Sequence, residues 1–286
     1  MEDFIIKCYD SVIHKREDKK LEQSKMESPW VLINLNNVIY AVSCDTVFSL
    51  NQMPQITPLP LTPKEIRGVI DFRGRSIQLI DTRVMLGMSS INDDVENFKK
   101  IMHQRYEDHL NWINTLEETV KSDQEFTLTT DPHACAFGKW YDNYDSQNTN
   151  IMFLSTFSKF DKPHKEIHAI ADKAKNLIKK NKKDEAIALI DSVKNTELKQ
   201  MLNLFKDIET AYEDSRKEIV VVIGEEDSCI GLSVDRIEAI EPLTEFDEEL
   251  IKESITSTEY LSGYAKRKDG SVAFILNDKY ILSKFH

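Results

Sequence analysis

Three histidines and one cysteine carry the spacing in this chain that could do chemistry. His109 lies on a stripe of apolar residues, Phe98, Met102, Ile113, Leu116 and Val120, whose steps fit one face of a helix. His164 lies on a second stripe, Phe157, Ala171 and Ile178, that recurs every seven residues, and His168 follows one helical turn later. Cys135 stands between the two stripes, in His133-Ala134-Cys135-Ala136-Phe137-Gly138-Lys139-Trp140-Tyr141. A lone histidine on an apolar stripe is ordinarily a core residue bonded to a carbonyl or carboxylate. Two on different helices, one with a companion at i+4, are placed to share an ion. A thiolate with three imidazoles suits zinc in a closed tetrahedron, with Zn–S about 2.3 Å and Zn–N about 2.0–2.1 Å. His103 and His133 are alternative donors. Neither has a second donor at helical spacing on its own segment, and His133 competes more directly because it is two residues from Cys135.

Helices must position these donors. A third stripe, Ala186, Ile190, Val193, Met201, Phe205, Ile208 and Tyr212, accompanies the first two. Pro163 fits the first turn of the helix that carries His164, with Asp161 as its expected N-cap. Three amphipathic helices and a shorter element bearing Cys135 predict a four-helix bundle over residues 95–216.

Both flanks read as β structure. In 29–94, Trp30–Leu35 and Val38–Val42 face each other across Asn36-Asn37, a hairpin turn, and Ile66–Asp81 folds back at Arg73-Gly74. Prolines 54, 58, 60 and 63 separate the two pairs. In 217–286, Glu218–Ile223, Cys229–Val234 and Arg236–Ile240 are strand-like, and Lys268-Asp269-Gly270 joins two more strands. Neither flank has many strands, so the two are expected to complete one β domain interrupted by the bundle. Residues 1–28 read as a short amphipathic helix (Ile5, Tyr9, Val12, Ile13) and a charged linker.

A formal net charge of -12 argues against nucleic-acid phosphates and against an anionic membrane surface. No apolar run approaches the roughly 20 residues that span a bilayer. Met1-Glu2-Asp3 lacks the basic start of a signal peptide, and four cysteines are too few for a disulfide scaffold. A cytoplasmic protein is expected. Cys8, Cys44 and Cys229 read as packing residues.

The insert resembles the chemoreceptor zinc-binding (CZB) domain. The H-x-x-W spacing at His109 and Trp112, the box Cys135-Ala-Phe-Gly-Lys-Trp140-Tyr141 and Lys162-Pro163-His164-Lys165-Glu166-Ile167-His168 carry that resemblance. It implies zinc at His109, Cys135, His164 and His168, and sensing of zinc or of oxidants such as hypochlorous acid through Cys135. It also makes a homodimer through the bundle a candidate assembly. The flanks resemble the CheW family of chemotaxis coupling proteins, on Ile66-Arg67-Gly68-Val69-Ile70-Asp71-Phe72-Arg73-Gly74-Arg75, Leu79-Ile80-Asp81, Gly231–Asp235 and Tyr260–Ala265. That resemblance implies an α+β protein with a frame of two small five-stranded β-barrels and no catalytic residues. Its implied partners are the histidine kinase CheA and chemoreceptor cytoplasmic tips, with Arg67, Gly68, Arg73 and Gly74 near the contacts. There is one departure. Where the family usually has a glutamate used in partner contacts, this chain reads Val47-Phe48-Ser49-Leu50.

Three functions follow from these readings. One is a signalling adaptor with a zinc-thiolate sensor. The second is a scaffold whose zinc is purely structural. The third, a zinc hydrolase, fits poorly: His164-Lys-Glu166-Ile-His168 puts its glutamate one place later than H-E-x-x-H, and four protein ligands leave no position for water.

Overall fold

The structure is a computed structural model that describes residues 28–144, 150–247 and 258–286. The helix and linker expected before Ser28, with Cys8, lie outside the described residues. The chain divides into two compact units, one made of residues 28–91 and 217–286, the other of Asn92–Arg216.

The first unit is β-rich. β1 (Pro29–Leu35) and β2 (Val38–Ser43) pair across Asn36 and Asn37, whose φ angles of 49° and 66° are those of a two-residue hairpin turn. β3 (Val47–Gln52) and the two-residue β4 (Ile56–Thr57) follow. β5 (Ile66–Phe72) and β6 (Arg75–Asp81) turn at Arg73 and Gly74, also in the left-handed region at φ 54° and 79°. After the second unit come β7 (Ile219–Glu225), β8 (Ser228–Val234), β9 (Arg236–Pro242), β10 (Thr244–Asp247), β11 (Leu261–Lys266) and β12 (Val272–Leu276).

These strands make two six-stranded sheets, ordered β10-β11-β12-β2-β1-β9 and β3-β7-β8-β6-β5-β4. Each sheet mixes strands from before and after the insert, through the parallel pairs β12–β2 and β6–β8 and the antiparallel pairs β1–β9 and β3–β7. Neither flank could bury its apolar face alone. Val31, Ile33 and Val42 from one sheet share a core with Val221, Ile223 and Leu232 from the other, and with Ile281 and Phe285 of a C-terminal helix. The two β layers of the expected frame are present, each with six strands rather than five. Among the described residues no ladder joins β10 to β9 or β3 to β4, so both sheets stay open.

Between β6 and the insert the chain makes a helical turn, α1 (Thr82–Met85), where the sequence suggests only the end of β structure. The Asp81 carboxylate caps it, accepting from the Val84 N–H at 3.0 Å. The buried Arg83 guanidinium donates to both carboxylate oxygens of Asp235, at 2.7 and 2.5 Å.

The second unit is helical. α2 (Ile91–Lys121) is the long helix of the first stripe and begins four residues before 95. α3 (Ala136–Asp142), α4 (Ile151–Ser158) and α5 (Asp161–Lys179) follow. α6 (Lys183–Val193) continues through a π-helical turn, Lys194–Leu198, into α7 (Lys199–Asp214). The seven-residue stripe from Phe157 to Ile178 therefore spans two helices. Pro163 has no N–H to donate to the carbonyl of residue 159, so the chain restarts at Asp161. Asp161 is not the N-cap; Phe160 holds that place without a side-chain bond, and the Asp161 carboxylate lies 2.8 Å from Lys165 Nζ. Ile178, at the far end of the stripe, is 36% exposed.

Candidate metal centre

The long apolar stripe of α2 buries His109 because its neighbours Met102, Ile113 and Leu116 must face the core. Its Nδ1 lies 2.7 Å from the Arg105 carbonyl one turn back, which fixes the proton on Nδ1 and leaves Nε2 facing inward. α5 buries His164 and His168 on the face that also carries Ile167 and Ala171. Cys135 is the N-cap of α3, and its sulfur accepts from the Gly138 N–H at 3.1 Å. The same sulfur lies 3.3 Å from the Pro132 carbonyl and 3.2 Å from His164 Nε2. Gly138 is needed where it stands: a Cβ there would meet the Pro132 oxygen at 1.8 Å.

These elements bring one donor atom each from His109, Cys135, His164 and His168 within 4.8 Å of one another. Bond lengths of a zinc tetrahedron place its ligand atoms about 3.3–3.6 Å apart, so a small contraction closes the set. The donors also fit by what they lack. His109 Nε2 and both ring nitrogens of His168 are buried and make no well-formed hydrogen bond among the described residues, although the Thr129 carbonyl lies near enough to His168 to act on it. Buried polar atoms are rarely left so. Burial, with the neighbouring His109 and His168 rings, drives the His164 pKa down to about 2. Burial and His109 lower His168 to about 4, against a smaller upward pull from the Thr129 carbonyl. Burial likewise lowers His109. Neutral imidazoles are the metal-binding form. Burial raises the Cys135 thiol, and the N–H groups of Gly138 and Phe137 offset part of that.

Aromatic rings wall the cluster. Phe137 lies 4.9 Å from the His164 ring and Trp112 lies 4.8 Å from His168, centroid to centroid. Trp112 Nε1 donates to the Thr129 carbonyl at 2.8 Å, which pins the segment before Cys135 over α2. Beside the cluster a cavity of about 310 Å³ reaches Cys135 and His168, with Asp108, Asn111 and Thr129 among its lining. His133 is outside the cluster, its Nδ1 lying 2.8 Å from Asp142 on the exposed side of α3. His103 stacks on Tyr106.

Two family comparisons bear on these features. The CheW-like domain matches residues 29–110 and 186–285, and the gap between those stretches falls within the helical insert. This chain belongs to the CheW-like family. The chemoreceptor zinc-binding domain matches residues 109–175, a span that contains all four donors. A search of the curated proteins gave no match. Among solved structures, the scaffolding protein TtCheW from Thermoanaerobacter tengcongensis aligns at 12% identity over 92% of this chain and 90% of that one, with a TM-score of 0.41. The protein is thus a CheW-like chain split around a stretch that matches the chemoreceptor zinc-binding domain, and its His/Cys group is compatible with zinc.

In the CheW-like frame the four residues singled out as partner contacts each have an internal role. Gly68, at φ +142°, sits so close to β4 that a Cβ would meet the Thr57 oxygen at 2.2 Å. Gly74 supplies the left-handed turn position. Arg73 lies over the rings of Phe48 and Phe72, 5.0 and 5.3 Å from their centroids. Arg67 Nη1 is 2.5 Å from a carboxylate oxygen of Glu218, where burial, ahead of the arginine's charge, holds the carboxyl above its ordinary value. Sequence reasoning had no signal for Glu218, which is remote from Arg67 in the chain and close only because β5 and β7 flank β6 and β8 in one sheet. Nor had it one for the Arg105 and Pro132 carbonyls, since any residue supplies a carbonyl.

Proposed function

We propose that this chain is a cytoplasmic chemotaxis coupling scaffold. Its CheW-like frame joins chemoreceptor tips to the histidine kinase CheA, and its insert holds one zinc through His109, Cys135, His164 and His168. The observation that supports this most directly is the convergence of three imidazoles and a thiol, with buried ring nitrogens that make no well-formed hydrogen bond among the described residues. Bound zinc would keep the Cys135 sulfur as thiolate. The cavity beside Cys135 gives a small neutral oxidant a route to that sulfur.

Hypochlorous acid reacts with such a thiolate in two steps. The sulfur attacks chlorine and hydroxide leaves; hydroxide then displaces chloride. The products are a sulfenic acid and chloride, with sulfur losing two electrons and chlorine gaining them. Cys135 then loses its thiolate charge at the N-cap of α3. The reading includes no catalytic step. Four protein donors leave no open position for water, and Glu166 is half exposed, near Lys162 rather than the cluster.

The test is metal content by mass spectrometry before and after substoichiometric hypochlorous acid, in the wild-type chain and in Cys135→Ala and His168→Ala. One zinc per chain, lost on oxidation and weakened in both variants, is expected. Zinc retained after Cys135 is oxidised would leave a structural staple in a scaffold. No zinc would remove the site.

A further inference from the structure

The helix that leaves the insert shifts the phase of its apolar face part-way along. Ala186 and Ile190 are buried one turn apart, and from Leu198 onward Met201, Phe205, Ile208 and Tyr212 continue in steps of three and four. Between Ile190 and Leu198 the interval is eight residues. At about 100° each, an unbroken α-helix would set Leu198 about 80° round from Ile190. The π-helical turn Lys194–Leu198 absorbs one residue and brings Leu198 back to within about 20°.

Local bonds accommodate the wide turn. Asn195 Nδ2 donates to the Asp191 carbonyl at 2.8 Å and the Thr196 hydroxyl to the Ser192 carbonyl at 2.9 Å. Lys194 pairs with Glu117 of α2, which also holds Lys121. Beyond the turn, α7 presses on the metal centre with one side chain. The Phe205 ring lies 5.4 Å from Phe137, 5.0 Å from Phe160 and 6.1 Å from His109. α7 ends at Asp214, and β7 of the frame begins at Ile219.

We propose that the π-turn is a hinge that lets α7 swing independently of α6 when the metal centre opens. Phe137 is two residues from Cys135, so release of α3 moves its ring, and Phe205 follows. The π-turn interrupts the regular hydrogen-bond ladder, the kind of place where long helices kink, and Lys194–Glu117 ties it to α2. The swing is then delivered along the chain to β7. This inference rests on the zinc reading above.

The experiment measures amide hydrogen exchange in the full-length chain, zinc-loaded and after chelation, in wild type and in a variant lacking Thr196. Removing that residue restores the seven-residue interval and keeps both apolar faces on the core in a continuous α-helix. Zinc removal is expected to speed exchange across 199–214 and 219–225 by about fivefold or more in wild type. The shortened chain should still bind one zinc yet change less than about twofold in the same segments. An equal response in both chains would overturn the hinge and leave the zinc site standing. A wild-type chain that binds zinc but shows no response in 219–225 would also overturn it. Absence of zinc from wild type would remove the reading beneath it. If the shortened chain does not fold, Lys194→Met carries the test. It should keep zinc and raise exchange at 194–198 and 219–225, and unchanged exchange overturns the hinge.

Discussion

The carbonyl oxygen of Pro132 lies against the α-carbon of Gly138, so that a Cβ added to Gly138 would stand 1.8 Å from it. The Cys135 sulfur sits between the same two residues, 3.3 Å from that carbonyl and 3.1 Å from the Gly138 nitrogen. One close approach therefore sets where the sulfur points. Gly138→Ala must push the 132–135 segment away, leaving all four donors in the chain but one of them displaced. Zinc affinity is expected to fall about 10- to 100-fold, the range seen when the support of a ligand is lost. Competition against a chromophoric chelator measures it, and unchanged affinity would show that the loop yields without moving Cys135.

Arg67 and Glu218 form a mostly buried ion pair, with side chains 17% and 9% exposed. Removing one partner leaves the other charge without compensation. Arg67→Met or Glu218→Met alone should each destabilise the folded chain by about 3 kcal/mol. The double change should recover most of that loss, because an apolar pair carries no desolvation penalty. Urea denaturation of the four chains gives the coupling energy. Additive losses would mean that the pair contributes nothing as a pair.

The convergence of the four side chains was legible because inward-facing histidines on helices leave a periodic trace. His109 interrupts an apolar stripe, and His164 with His168 shows the i, i+4 step. Cys135 could be placed only through the motif around it, since a cysteine at a helix N-cap has no period. The hairpins at Asn36-Asn37, Arg73-Gly74 and Gly270 were equally legible, for positive φ restricts residue choice. Sheet order was not. The parallel pairs β12–β2 and β6–β8 join segments separated by the whole insert, and local pattern carries no record of them. The break between α4 and α5 was missed because a seven-residue stripe continues across it, although Pro163 marks the place. The π-turn was not legible: Ile190 and Met201 are eleven residues apart, a step that an unbroken helix keeps on one face to within about 20°.

Acid should destabilise the zinc-free protein through the same histidines. His164 and His168 have folded pKa values near 2 and 4, below the ordinary value of 6.5, and His109 is lowered too. Groups held neutral in the fold take protons more readily when unfolded. Their contribution is thus fully present above about pH 6.5 and is lost progressively as pH falls towards the folded values. Thermal unfolding of the chelated protein should show a falling midpoint between pH 7 and 4. His168→Asn should flatten that slope. A midpoint constant over this range would contradict burial of neutral imidazoles.

The Arg73 guanidinium packs over Phe48 and Phe72, whose rings meet edge-on at 82° with centroids 5.8 Å apart. Phe48 lies in the stretch where the CheW resemblance leads one to expect a glutamate, and in this chain its ring packs under the arginine instead. Such a contact contributes about 0.5–1 kcal/mol at an exposed site. An ion pair there would weaken as salt screens it, whereas ring packing persists. If Arg73 contacts the kinase, Arg73→Ala should weaken binding of CheA about tenfold or more, the loss of one interfacial arginine. Phe48→Leu, which keeps the apolar bulk but frees the guanidinium, should weaken it only about threefold, as expected for about 0.6 kcal/mol of lost ordering. Titration calorimetry at two salt concentrations separates these cases. Wild-type affinity in Arg73→Ala would remove this hairpin from the interface and confine Arg73 to packing on its own two rings.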